Sequence, residues 1–310
     1  MKIFHSLYDF KPTKKTIVTI GTFDGVHIGH KKIIEKLTTS QSVDDFESLI
    51  LTFYPHPRMV LKSSPEIKLL NTIEEKAHLL ENAGLNNLII HPFDKAFSEL
   101  SGEDFVKKIL VDQFNVKKII IGHDHRFGKN RSADIKDLIF YSKKYDFDVE
   151  QISAEEINEV SVSSTKIRNA ILEGNINLAK DYLGYSYFFK GIVIYGKQLG
   201  RTLGFPTANI KMTEDYKLIP QNGVYVVQSF YQGKRLGGMM NIGTNPTLNG
   251  TNQAIEIHFF DFNSDLYGQE IEISILHRLR SEQKFESLDQ LKQQLENDKI
   301  SSLAFLQKIP

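Results

Sequence analysis

The chain contains no cysteine. That absence excludes disulfides, thiolate-bound zinc and cysteine nucleophiles, and it suits a reducing compartment. An excess of charge of either sign is missing too: Lys+Arg and Asp+Glu number 38 each. No global basic field draws such a chain to nucleic acid or anionic lipid. No apolar run approaches the length that spans a bilayer, and the opening segment MKIFHSLYDFKPTKK lacks the apolar stretch of a signal peptide. A cytoplasmic protein is therefore expected, with no nucleic acid and no membrane as partner. What is present is an ordinary globular balance, 41% hydrophobic and 25% charged over 310 residues, enough for two packed domains.

In the first half, short apolar runs alternate with helix-like segments. Strands are expected at Thr16 to Ile20, Leu49 to Phe53, Leu88 to Ile90, Lys118 to Ile121 and Asp148 to Ile152. Between them, helices are expected at His30 to Leu37, Asn71 to Asn82, Gly102 to Phe114 and Ile135 to Lys144. Thr72 and Glu75 have the spacing of a capping box, with Gly84 as the stop. This order predicts an α/β domain with a parallel sheet covered by helices, whose ligands sit beyond the carboxyl ends of the strands. Helices at Thr165 to Leu172 and Leu178 to Leu183 close that half. After Gly184 come strand candidates at Tyr187 to Tyr195, Val224 to Tyr231, Arg235 to Ile242, Ala254 to Phe262 and Glu270 to Leu276, with no long helix between them. They predict an antiparallel sheet or small β-barrel. A terminal helix, Leu288 to Leu306, follows, with Ser287 and Gln290 placed to cap it and Leu288, Leu291 and Leu295 as its apolar stripe.

Two segments carry the chemistry. The first, GTFDGVHIGH (21–30), joins a strand to a helix. Gly21, Gly25 and Gly29 let backbone approach a ligand closely, and the helix N-terminus offers free N–H groups and the positive end of a dipole. His27 and His30, three residues apart, can face one ligand from the first turn and donate hydrogen bonds to phosphate oxygens. Phe23 and Asp24 complete the loop. These features favour phosphate binding. A turn with two solvent-exposed histidines, or a metal site with Asp24 as third ligand, are the alternatives. Downstream, SVSSTKIR (161–168) opens another helix. Ser163 or Ser164 can serve as its N-cap, and Ser164, Thr165, Lys166 and Arg168 gather hydroxyls and cations at a helix N-terminus, where Arg168 can grip an anion with both its N–H arms.

The second segment is GRTLGFPTAN (200–209). The adjoining GIVIYGKQ (191–198) is close to a phosphate-binding loop but fails as one, because Gln198 replaces the hydroxyl residue and IVIY is a strand run. In GRTLGFPTAN, Gly200 and Gly204 permit a tight path and Pro206 stiffens it. Thr207 and Asn209 present hard oxygen ligands suited to Mg²⁺. An ordinary Gly/Pro loop satisfies the same pattern.

GTFDGVHIGH with SSTKIR far downstream resembles the nucleotidyltransferase superfamily bearing the H-x-G-H signature. FYPHP (53–57), GHDHRFG (122–128) and GKQLGRTLGFPTAN narrow the resemblance to the prokaryotic bifunctional riboflavin kinase/FAD synthetase family, over nearly the whole chain and in the expected order. The resemblance implies a nucleotidyltransferase domain in residues 1–184 that joins FMN to ATP, giving FAD and pyrophosphate, and a riboflavin kinase domain in residues 185–310 that makes FMN. It assigns ATP phosphates to His27 and His30, the departing pyrophosphate to Ser164, Thr165 and Arg168, and an adenylylation-site position to Asp124. In the kinase it assigns Mg²⁺–ATP to Thr207 and Asn209. The general base would be Glu256, in AIEIHFFDF, where alternation puts Glu256, His258 and Phe260 on one face. Arg280, in LRSEQKF, matches a flavin-contacting position. His125 stands where the family commonly has Phe, Tyr54 where it has Asp, and the usual Arg after Gly184 is missing. These departures bear on the fit of the flavin. The implied substrates are riboflavin, FMN and ATP, and weak self-association is compatible with this reading. Two rivals are a flavin-binding regulatory protein with one dead site and another nucleotidyltransferase carrying an unrelated β-domain.

Overall fold

The computed structural model describes residues 1–61, 67–123, 125–153, 162–196, 199–247 and 250–309. They form two compact units, Met1–Ser164 and Thr165–Pro310.

The first unit is built on a parallel sheet in the order β1-β4-β3-β2-β5-β6. Its strands are β1 (Lys2–Phe4), β2 (Thr16–Ile20), β3 (Glu47–Phe53), β4 (Asn87–His91), β5 (Val116–Gly122) and β6 (Asp148–Ile152). The helices are α1 (Ile28–Asp44), the single turn α2 (Pro57–Val60), α3 (Ile73–Asn82), the single turn α4 (Lys95–Ser98), α5 (Gly102–Asp104) and α6 (Ile135–Tyr145). Successive strand residues feed opposite faces, as the pleat requires. Val18, Leu49, Leu51, Ile89 and Ile119 join one core with Phe105, Val106 and Leu110. Ile17, Ile50, Leu88, Ile90 and Ile120 join the other with Ile33, Ile34 and Leu37 of α1 and Leu80 of α3. The sheet is therefore covered on both sides. Its order reverses at β2, which pairs with β3 on one side and β5 on the other, and that reversal opens a crevice at the strand ends.

The second unit contains α7 (Ser164–Leu172) and α8 (Ile176–Leu183), then β7 (Phe188–Ile194), the single turn α9 (Leu199–Thr202), β8 (Ala208–Met212), β9 (Gly223–Tyr231), β10 (Lys234–Thr247), β11 (Gly250–Phe259) and β12 (Glu270–Arg280), and finally α10 (Leu288–Leu306). The six strands close into an antiparallel barrel in the order β10-β11-β8-β7-β12-β9. Helices α7 and α8 are grouped with this barrel: Gln221 donates to the Ile171 carbonyl, and a side chain at Gly174 would run into Arg278.

The fold agrees with the expected class, and the differences have physical causes. The expected helix at Gly102 to Phe114 starts where expected, capped by Ser101, but Phe105–Gln113 is π-helical, ending with Phe114 N–H on the Ile109 carbonyl. Strands β1 and β8 were not expected: β1 has three residues, and β8 follows a proline and carries a polar Asn209. The capping box on α3 is formed in both directions, Glu75 N–H to Thr72 Oγ1 at 3.1 Å and Thr72 N–H to Glu75 Oε2 at 3.0 Å. On α10, Ser287 caps as expected, but Leu288 is 69% exposed. The packed stripe is instead Leu295, Leu303 and Leu306, against Phe205, Met239 and Phe260. Phe260 lies just beyond β11, so the alternation from Glu256 runs only to Phe259.

Candidate active sites

The first site lies in the crevice beyond β2 and β5. Between β2 and α1 the chain turns through three left-handed residues, Phe23 (φ 46°), Gly25 (φ 89°) and Val26 (φ 35°). Only glycine adopts that region freely, so the two bulky residues are held there by burial. Asp24 accepts the Leu70 N–H at 2.8 Å, and its own carbonyl accepts the Ser164 hydroxyl at 2.9 Å. His27 is the N-cap of α1, its Nδ1 accepting the His30 N–H at 3.4 Å. The two imidazoles stack with centroids 3.6 Å apart.

His27 is only 7% exposed, which removes the picture of two solvent-exposed histidines. Among the described residues no group of three His, Asp or Glu side chains converges as a metal site. Burial holds the His30 imidazole well below its ordinary range, and the nearby His27 and Lys76 charges push the same way. His30 is therefore a neutral ring, and its buried Nδ1 has no hydrogen-bond partner among the described residues.

A cavity of about 800 Å³ opens over this turn. Gly21, Thr22, Phe23, His27, Gly29, His30, Ser163 and Ser164 form its polar wall. The opposite wall is aromatic: Phe53, Phe93 and Phe97 pack edge-on or tilted with centroids 5.2 to 5.8 Å apart, and Phe105 and Phe127 continue the set. Arg58, Arg126 and Arg131 line the cavity from exposed positions. Such a space takes a flat apolar ring system at one side and an anionic tail at the other. His125 belongs to the aromatic wall, stacked on Phe127 at 6.1 Å, so the departure from Phe retains a planar ring. Tyr54 packs on the core beneath α1 and is not among the lining residues. Asp124 lies outside the described residues, as does Gln198. Thr165 and Arg168 fall in the first turns of α7, Thr165 exposed and Arg168 half-buried.

The second site sits on the barrel. Residues 191–194 belong to strand β7, which agrees with setting the phosphate-loop reading aside. The turn through Gly200 and Gly204 (φ 85°) leads into Pro206, Thr207 and β8. A Cβ at Gly200 would collide with the Phe205 carbonyl, so that glycine is spatially required, and one at Gly196 would displace the Asn209 side chain. Asn209 is directly opposite Glu256 in the β8–β11 ladder, and Thr207 Oγ1 donates to Glu256 Oε2 at 3.2 Å. Pro206 offers its carbonyl to His258 Nδ1 at 2.9 Å. Ile255, Ile257 and Phe259 are buried on the other face, as the alternation predicted. Arg280 is engaged elsewhere: its guanidinium makes a two-armed ion pair with buried Asp298 of α10, Nε to Oδ1 at 2.9 Å and Nη2 to Oδ2 at 2.7 Å.

The FAD synthetase family model matches residues 9–166 and the riboflavin kinase family model residues 183–306. A bifunctional riboflavin kinase/FMN adenylyltransferase from Escherichia coli (strain K12) is 33% identical over 98% of both chains. This chain belongs to that family. It is accordingly a bifunctional enzyme of flavin cofactor biosynthesis, with riboflavin kinase and FMN adenylyltransferase domains that use ATP. A family member from Listeria monocytogenes is 37% identical, over 94% of this chain and 93% of its own. A solved structure described as a macrolide-efflux protein from Streptococcus pneumoniae is also similar, with TM-score 0.89 and 30% identity over 97% of this chain and 98% of that one. No helix among the described residues of this chain is long and apolar enough to cross a membrane.

Sequence reading missed the aromatic wall, the three cavity arginines and Lys76. Arg58 directly follows the FYPHP segment and was findable there; the phenylalanines are dispersed over β3, α4, the π-helix and the segments around Phe93 and Phe127, and read as core.

Proposed function

We propose that residues 1–184 transfer the adenylyl group of ATP to FMN and residues 185–310 phosphorylate riboflavin, in the cytoplasm and without a nucleic-acid partner. The convergence of Thr207, Asn209 and Glu256 supports this reading most directly, because register and a hydrogen bond bring three oxygen-bearing side chains together at one strand end.

In the kinase, Glu256 takes the proton of the ribityl 5′-hydroxyl as that oxygen attacks the γ-phosphorus of ATP. The neutral oxygens of Thr207 and Asn209 fit Mg²⁺, leaving room for phosphate oxygens and water. Thr207 and Asn209 would hold the ion, which when bound neutralises charge on the phosphates. Gly200, Gly204 and Pro206 shape the loop against the nucleotide. Arg280, held at the end of β12 by its pair with Asp298, positions the segment that follows beside the flavin.

In the adenylyltransferase, the FMN phosphate attacks the α-phosphorus of ATP and pyrophosphate leaves. The His27 ring, the neutral His30 ring and the N-terminal amides of α1 donate to the phosphates. Ser164, Thr165 and Arg168 receive the pyrophosphate, and Asp124 contacts the flavin nucleotide. The flavin ring rests against the aromatic wall. Gly21, Phe23, Asp24, Gly25 and Gly29 set the backbone path around the triphosphate. No protein nucleophile takes part; the work is positioning and charge stabilisation.

Incubation with riboflavin, Mg²⁺ and ATP, followed by chromatographic separation of the flavins, tests the reading. FMN and then FAD should accumulate. FMN without FAD refutes the first site's assignment, and no product at all supports the flavin-binding alternative.

A further inference from the structure

Behind the first site lies a lysine that the mechanism above does not use. Lys76 sits in the first turns of α3 and is 3% exposed. A buried ammonium near a helix N-terminus opposes both desolvation and the helix dipole, so packing alone does not account for it. Its Nζ donates to the Thr22 carbonyl at 2.7 Å, and the Thr52 hydroxyl donates to the same oxygen at 3.2 Å. Thr22 precedes the left-handed turn at Phe23, and Asp24 beyond it is anchored through Leu70 and Ser164. The charged or titratable groups that act on Lys76 or His30 here are Asp24 from the turn and the stacked His27 and His30 at the start of α1. The neighbouring Glu75 is turned into the capping box.

We infer that Lys76 is a positioning residue of the adenylyl-transfer site: its buried ammonium fixes the Thr22 carbonyl, and with it the turn that brings His27 and His30 to the cavity wall. Lys76 is not among the cavity-lining residues, so it acts through the turn rather than on substrate. Burial lowers the Lys76 ammonium to about 8, while Asp24 pulls it back up, so the group is mostly charged at neutral pH. The inference rests on the assignment of FAD synthesis to this site.

The test compares the parent chain with Lys76→Met and Lys76→Arg, with riboflavin phosphorylation measured on the same preparations. If the parent makes no FAD from FMN and ATP, the assignment of the site fails, not merely the role of Lys76. Given an active parent, Lys76→Met should lower kcat/KM for ATP in FAD synthesis by about 10- to 100-fold, with riboflavin phosphorylation within about twofold. The parent's profile of kcat/KM against pH should fall on the alkaline side near 8, as the ammonium loses its proton. That limb should vanish in Lys76→Met and move to higher pH in Lys76→Arg. FAD synthesis within twofold of parent in Lys76→Met overturns the inference. So does a loss of equal size at every pH with the alkaline limb retained, since that is the signature of a merely structural residue.

Discussion

Replacing Glu256 by Gln separates the chemistry of the barrel from its folding. Gln is nearly isosteric and keeps an oxygen able to accept from Thr207, so the 3.2 Å contact survives in neutral form. The β8–β11 ladder is carried by backbone, and the flanking Ile255 and Ile257 remain buried. Changing a charge-assisted hydrogen bond into a neutral one at a half-buried position costs about 1 kcal/mol of stability. The catalytic cost is larger. Loss of a positioned general base typically removes a factor of about 10² to 10⁴, which is about 3 to 5 kcal/mol on the barrier. The assay is the initial rate of FMN formation from riboflavin and ATP, read by chromatography, with FAD formation from added FMN as control on the same sample. The expected result is a kinase rate at or below about 1% of the parent with FAD synthesis unchanged. A kinase rate above a tenth of the parent would refute the assignment of Glu256 as base. Equal loss of both activities would refute the division of labour between the units.

Other perturbations follow from the same geometry. His30→Ala should reverse the pattern, lowering FAD synthesis by about 10²-fold or more while sparing FMN formation, and unchanged FAD synthesis would remove His30 from the mechanism. His30 also links stability to pH. Its folded proton affinity lies below the ordinary value of 6.5, so above that pH it costs nothing, and below it the unfolded chain alone takes up the proton. The first unit should lose stability as pH falls below about 6.5, and His30→Gln should flatten that slope in thermal melts. Asp298→Ala strands the Arg280 guanidinium against α10 and should destabilise the barrel unit by about 3 kcal/mol in urea unfolding; a change under about 0.5 kcal/mol would show the pair to be incidental. Gly200→Ala forces a Cβ against the Phe205 carbonyl and should cut kinase kcat/KM by about tenfold or more without touching FAD synthesis.

Much of this was legible in the sequence for identifiable reasons. Strand β2 ends where Thr16 to Ile20 end, because a fully buried run is bounded by lysines and Gly21. Helix α3 starts where Thr72 and Glu75 place it, because capping is local chemistry. Strand β8 was not legible because nothing local favours it: it exists through its pairing with β7 and β11. The π-helical stretch keeps an apolar face that reads as an ordinary helix. Lys76 stands in the run EEK and reads as one more surface charge; only tertiary burial distinguishes it. The Arg280–Asp298 pair joins a strand to a helix 18 residues on, a separation no periodicity reports.

The pairing of Asn209 with Glu256 has a consequence for how the kinase can change. Side chains on a strand switch face at every residue, so the spacing between these two groups cannot drift by small amounts. A slip of one residue in β8 would turn Asn209 away from Glu256, and a slip of two would restore the facing but carry the pair about 7 Å apart. A single-residue insertion within β8 should therefore abolish phosphorylation outright. Sequence divergence at this site is thus expected to spare the ladder.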